Sequence, residues 1–185
     1  MIRLHHVAQA RSFRVLWMLE EMGLGYELVQ HSFFDKSLRD PAFLALSPAG
    51  RVPALEIDGR AMFESGAILQ YLVETREMFG PGRGERADWL EWIHFAETVA
   101  AHVANLTQHH IVLREDHMRS PTVMRLEAKR LEKTLGVVER GLKGDYLLAS
   151  GFSAADVAVA YGALIGRRVV RLDGLPRVAA WLKRL

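Results

Sequence analysis

Three short stretches carry residues whose types and spacing suit a particular chemistry. The first is Val52-Pro53, where a proline without an N–H is able to take a cis bond in a tight turn and to leave nearby backbone groups outside a regular ladder. The second is Glu64-Ser65, placed where a helical pattern begins. Helix starts expose unpaired N–H groups and a partial positive charge, so they hold anions, and Ser65 adds a hydroxyl. The third is Gln9 to Ser12 at the start of the first helical pattern, where amide and hydroxyl donors face the same kind of anion-stabilising position. The chain has no cysteine, so disulfides and cysteine-ligated metals are excluded, and any thiol chemistry uses a thiol brought by a substrate.

The elements that must position these residues follow from periodicity and breakers. Ile2 to Val7 alternates as a strand. Ser12 to Met22 carries Val15, Leu16, Met18, Leu19 and Met22 at helical spacing, and Gly23 caps it. Tyr26 to Val29 is a second strand, so the chain opens as a parallel pair with a right-handed crossover. A polar loop over 31–40, a short helix from Pro41 to Leu46 and the Ser47-Pro48-Ala49-Gly50 turn follow. Ala54 to Ile57 and Arg60 to Phe63 pair through Asp58-Gly59, a strong hairpin signal. A helix runs from Ser65 to about Thr75. Phe79-Gly80-Pro81-Gly82-Arg83-Gly84 breaks the pattern as a linker. Beyond it only helices are expected, at Ala87–Leu113, Pro121–Leu142, Ser153–Ile165 and Pro176–Leu185. The division is therefore 1–76, an α/β domain; 77–86, a linker; and 87–185, an all-α domain.

Composition excludes several classes. The 185 residues are half hydrophobic and a quarter charged, with a formal net charge of +2. The cluster Arg167, Arg168 and Arg171 reads as a helix end or loop and not as a nucleic-acid patch. No apolar run reaches membrane-spanning length, and the N-terminus enters a strand without a secretion-signal pattern. A cytoplasmic protein with no nucleic-acid or membrane partner is expected. The histidines His5, His6, His94, His102, His109 and His110 show no metal-ligand spacing, so no metal site is expected.

Ser47 to Leu55, Phe63 to Leu72 and the Ser153-Ala154-Ala155-Asp156 capping box, with Trp89 to Glu97, together resemble the cytosolic glutathione S-transferases across nearly the whole chain. The branch resembled is bacterial and serine-type. The resemblance implies a thioredoxin-like glutathione-binding domain followed by an all-helical domain. It implies that Val52, beside a cis-Pro53, pairs with the cysteinyl backbone of glutathione. It also implies that Ser65 holds the γ-glutamyl carboxylate and Glu64 the ligand's amino group, with Arg51 meeting the glycine carboxylate. The capping box is structural, with Phe152 and Val157 as its hydrophobic staple.

In the similar serine-type branches a serine four residues before the arginine matching Arg14 activates the thiol; here that position is Ala10. A free thiol has a pKa of about 8.5, and lowering it by about two units takes about 2.7 kcal/mol of preferential anion stabilisation. The remaining donors are Ser12, which would also cap the helix, Gln9, and the backbone N–H groups of Ala10 to Ser12, with Arg11 adding positive charge. The implied activity is transfer of glutathione, as co-substrate, to a small hydrophobic electrophile whose pocket His102 or His109 could line. Glutathione-dependent peroxidase or disulfide reductase chemistry is the alternative, as is a non-catalytic glutathione-binding or protein-interaction module. The Trp89, Trp92, Phe95 and Val99 stripe suits core packing, and the resemblance adds a homodimer and a detoxification role.

Overall fold

A strand buried on both faces needs helices on both sides, and β1 (Arg3–His6) is such a strand: Leu4, His5 and His6 are all buried. The computed structural model describes residues 1–185. They form two units, Met1–Gly80 and Pro81–Leu185.

In the first unit, α1 (Ser12–Glu21) buries Val15, Met18 and Leu19 completely. It ends where Gly23 takes φ 62°, with Leu24 N–H donating to Leu19 O and Gly23 N–H to Glu20 O, both at 3.0 Å. These are the paired bonds of a Schellman cap, which favours glycine at the left-handed position. Strand β2 (Glu27–Gln30) then lies parallel to β1, with Leu4 opposite Leu28. The short α2 (Pro41–Leu46) starts from Asp40, whose carboxylate accepts from Ala42 N–H at 2.8 Å, with Pro41 in the first turn. Strands β3 (Ala54–Ile57) and β4 (Arg60–Phe63) form the hairpin. Asp58 and Gly59 take φ 51° and 77°, as a two-residue hairpin turn requires. Helix α3 (Ser65–Arg76) buries Ile68, Leu69 and Leu72. The sheet order is β2-β1-β3-β4, with β1 antiparallel to β3. His6 reaches Ser12 of α1, whereas His5 lies against Phe43 of α2, so adjacent residues of β1 point to opposite faces.

The second unit is helical: α4 (Arg86–Thr107), α5 (Pro121–Gly141), α6 (Ala154–Gly166) and α7 (Pro176–Arg184). Helix α6 is apolar nearly all round, and every residue from Ala154 to Ala163 is buried, which makes it the centre of this unit. The capping box is present: Ser153 Oγ accepts from Ala155 N–H at 3.2 Å, and Asp156 accepts from Ser153 N–H at 2.9 Å. Asp156 also accepts from Leu147 N–H and from Trp181 Nε1, each at 3.0 Å, tying α7 to the start of α6.

One expected helix is shorter than its periodicity suggests. The pattern from Ala87 to Leu113 ends as α-helix at Thr107, and 108–112 widen into a π-helical turn closed by Leu113 N–H to Gln108 O at 2.9 Å. Buried positions stop at Leu106, and Ile111 and Val112 are exposed, so nothing packs against that turn to hold the tighter helix. Trp89 and Val99 are buried and Trp92 meets Phe95 edge-on at 5.5 Å, so the aromatic stripe serves the packing of its own unit. The arginine cluster falls in the turn after α6, where Arg171 pairs with Asp173 at 2.6 Å. No helix is long and apolar enough to cross a membrane.

Candidate functional site

The site grows from the 47–53 loop, which Ser47 organises. Ser47 is buried; its hydroxyl donates to Arg51 O at 2.7 Å and accepts from Arg51 N–H at 3.3 Å. Gly50 N–H closes the turn on Ser47 O at 2.8 Å. A side chain at position 50 would meet Leu38 O at 2.9 Å and would have to adopt φ 61°, so glycine is required. The Val52–Pro53 bond is cis. Neither the N–H nor the C=O of Val52 is taken by a sheet or turn hydrogen bond. The Val52 side chain is packed with Val7, Phe43 and Ala54, and Ala10 lies against the same cluster.

The start of α3 supplies the second part. Its N-cap residue is Glu64, exposed, at φ 71°, and no side chain caps the first turn. A non-glycine residue in that region costs of order 1–3 kcal/mol and is concentrated at functional positions. Ser65 follows as the first helical residue, buried, and its hydroxyl oxygen accepts from Arg14 Nη1 at 3.0 Å. With the lone pair so engaged, the Ser65 hydroxyl proton is available as a donor. Arg14 is 1% exposed, so its charge acts through a poorly screened medium and reinforces the helix dipole at this end. Arg51 is exposed on the loop.

The thiol-side candidates divide. Gln9 is exposed at φ 64°. Ser12 is fully buried, and its hydroxyl binds inward: it accepts from Val7 N–H at 3.3 Å and sits 2.9 Å from His6 Nδ1. It is neither an exposed donor nor a cap, since the N-cap position is Arg11 and Ser12 is the first helical residue. Burial lowers the pKa of His6, so that ring stays neutral beside Ser12. Of the amides, Ala10 N–H is spent on Val7 O at 3.1 Å. His102 donates from Nδ1 to Glu127 at 2.8 Å and His109 Nδ1 meets Asn105 O at 2.9 Å.

Sequence reasoning left out the roles of Ser47 and Arg14. Arg14 had a signal: it lies four residues before Met18 on the buried face of an otherwise apolar helix, where a charge must have a partner.

The fold and site define a class: a thioredoxin-like unit with a cis-proline loop and an anion-ready helix start, followed by a helical unit. Residues 1–74 match the family model of the glutathione S-transferase N-terminal domain. The chain is 30% identical over 183 residues to "Glutathione S-transferase 3" of Schizosaccharomyces pombe, covering 91% of this chain and 75% of that one. It is 31% identical over 185 residues to "Glutathione S-transferase 4" of Zea mays, covering 93% and 81%. Among solved structures, a glutathione transferase from Burkholderia graminis with two glutathione molecules bound per subunit superposes with a TM-score of 0.89 at 25% identity, over 99% of this chain and 82% of that one. The chain belongs to the glutathione S-transferase family.

Proposed function

We propose that this protein binds glutathione in the first unit and, as a serine-type-like transferase that has lost the serine, transfers it to a small hydrophobic electrophile. The observation that carries this reading is the Ser65 hydroxyl, held by the buried Arg14 at a helix start that no side chain caps. In this reading the γ-glutamyl carboxylate takes the Ser65 N–H and hydroxyl, and Glu64 pairs with the ligand's amino group. The cysteinyl backbone adds to Val52 as one more strand, and Arg51 meets the glycine carboxylate. The glutathione complex of the Burkholderia relative supports the ligand class.

The thiol lies toward Ala10, because Ala10 and Val52 share one apolar cluster. A methyl there stabilises no anion. The first amide of α1, at Ser12, and the helix dipole supply what stabilisation the thiolate has, with the Gln9 side chain as a second donor. The thiolate sulfur attacks an electrophilic carbon, a C–S bond forms, and the leaving group departs with its electron pair. We place the protein in the cytoplasm as a homodimer with a detoxifying role.

A second reading, a glutathione-binding module without turnover, is favoured by the same Ala10 and by the enclosed Ser12. Retention on immobilised glutathione, followed by assays with an activated aryl halide and a hydroperoxide, separates the two. The first reading expects retention and slow conjugation; retention with no turnover of either substrate contradicts it.

A further inference from the structure

The other face of the sheet carries a pair of histidines that the reading above does not use. His5 Nδ1 and His31 Nε2 are 2.9 Å apart, with the rings stacked at 5.2 Å. His5 Nε2 meets Glu56 Oε1 at 3.1 Å, and the same oxygen accepts from Arg3 Nη1 at 3.0 Å. Arg3 also pairs with Glu27 at 3.1 Å. Phe43 of α2 lies 5.5 Å from the His5 ring and 4.6 Å from that of His31. His31 Nδ1 is buried and has no hydrogen-bond partner.

Proton counting gives this arrangement one stable state. Glu56 accepts, so His5 Nε2 carries a hydrogen. A nitrogen-to-nitrogen bond holds one hydrogen between its ends. Those two positions use the two protons of a neutral pair, so His31 Nδ1 is bare. A third proton has only His31 Nδ1 to occupy, where it is buried with no acceptor. A fourth places hydrogens on both ends of the bridge and breaks it.

We propose that the His5–His31 pair is a proton-sensitive latch: protonation at His31 releases residues 31–46 from the sheet and loosens the support beneath Val52. His31 opens that segment, its N–H donating to His6 O at 2.8 Å, and Phe43 within it packs directly with Val7, Val52 and Ala54. The charges facing the pair are accounted for on every side. Glu56, backed by Arg3 and Glu27, faces His5. Asp35 and Asp40 favour a proton on His31, whereas burial, first, and His5 oppose it, and the balance lowers its pKa. Lys36 and Arg39 are exposed. His6 is on the opposite face with Ser12.

The sign follows. The released segment takes its proton near the ordinary histidine pKa of about 6.5 and the latched one only at lower pH, so the latched form is favoured above about 6.5 and loses ground by up to about tenfold per pH unit below it.

Amide hydrogen exchange on the full chain, corrected for intrinsic rates, tests this. Between about pH 7.5 and pH 5.5, protection over 31–46 is expected to fall about tenfold relative to 65–76, and His31→Gln and His5→Gln are each expected to abolish that difference. The latch is overturned if 31–46 follows 65–76 in the wild type, or if His31→Gln retains the acid loss. Should either variant fail to fold, the wild-type comparison alone decides. The link to the ligand rests on the function proposed above and is read separately. S-methylglutathione, which has no thiol to titrate, at about one hundred times its Kd is expected to restore at least the roughly tenfold protection lost in acid, with about hundredfold as the ceiling set by linkage. Acid loss without that rescue upholds the latch and overturns its coupling to glutathione; rescue without acid loss overturns the latch alone.

Discussion

Ala10 presents a methyl to the cluster that includes Val52, and Ser12, two residues on, presents its hydroxyl to Val7 and His6. The two positions therefore respond differently to substitution. On the proposed function, Ala10→Ser adds a hydroxyl beside the thiol and is expected to raise kcat/KM with an aryl halide by about tenfold or more, given that single oxyanion donors are worth about 10²–10³ in rate. Ser12→Ala is expected to cost about 1–2 kcal/mol in urea unfolding, from the orphaned Val7 N–H, while turnover per folded molecule changes less than about twofold. A large loss of turnover with unchanged stability would reassign Ser12 as the donor. Arg14→Met removes the bond to Ser65 and is expected to weaken glutathione binding about tenfold, with Arg14→Lys recovering part of it, which calorimetry reads directly. Of these three residues, Ala10 stood out through the family resemblance, which implies a serine four residues before Arg14, and Arg14 carried its own hint as a charge on an apolar face. The inward turn of Ser12 was not legible, because it depends on where Val7 and His6 lie across the start of the helix.

Between elements, Glu127 is the tie of α4 to α5. It is buried and accepts from His102 Nδ1 at 2.8 Å, Asn105 Nδ2 at 3.1 Å and Arg130 Nη1 at 2.6 Å. The His102 bond, foremost, draws its carboxyl down from 4.5 to about 2. A folded-state pKa below the unfolded one means that this contribution is complete above about 4.5 and is lost as pH falls toward about 2. Glu127→Gln is expected to cost about 2 kcal/mol near neutral pH, and to flatten the acid side of the stability profile relative to the wild type. The helices also touch closely at glycines. A Cβ on Gly162 would lie 2.6 Å from Val99, and one on Gly141 would collide with the Trp92 ring. Gly162→Ala is expected to lower stability by about 1–3 kcal/mol through overpacking, which thermal unfolding checks. The helices themselves were legible from their apolar spacing and from Pro121 and Pro176. The Glu127 tie and the glycine contacts were not, since they join residues distant in the chain. The end of α4 at Thr107 escaped because the letters stay helix-compatible beyond it and only missing packing stops the helix.

At the scale of the whole chain there are two compact units, Met1–Gly80 and Pro81–Leu185. The first holds every residue for which glutathione contact is proposed; its hairpin, the end of α1 and the start of α2 follow from short-range signals such as Asp58-Gly59, Gly23 and Asp40-Pro41, whereas the antiparallel pairing of β1 with β3, Arg3 opposite Glu56, joins residues far apart in the chain. The locality of those signals is why the α/β half and its loop could be read in advance, while the thiol-activating group, which depends on side-chain direction at one helix start, could not.

The most direct test is isothermal titration of glutathione into the folded wild-type protein beside Ser65→Ala. Saturable one-to-one heat at sub-millimolar to millimolar ligand, weakened about tenfold or more by the substitution, is the expected outcome for a carboxylate held by a buried, charge-assisted hydroxyl. Absence of saturable heat at about 10 mM glutathione, or equal affinity in the two proteins, would contradict it.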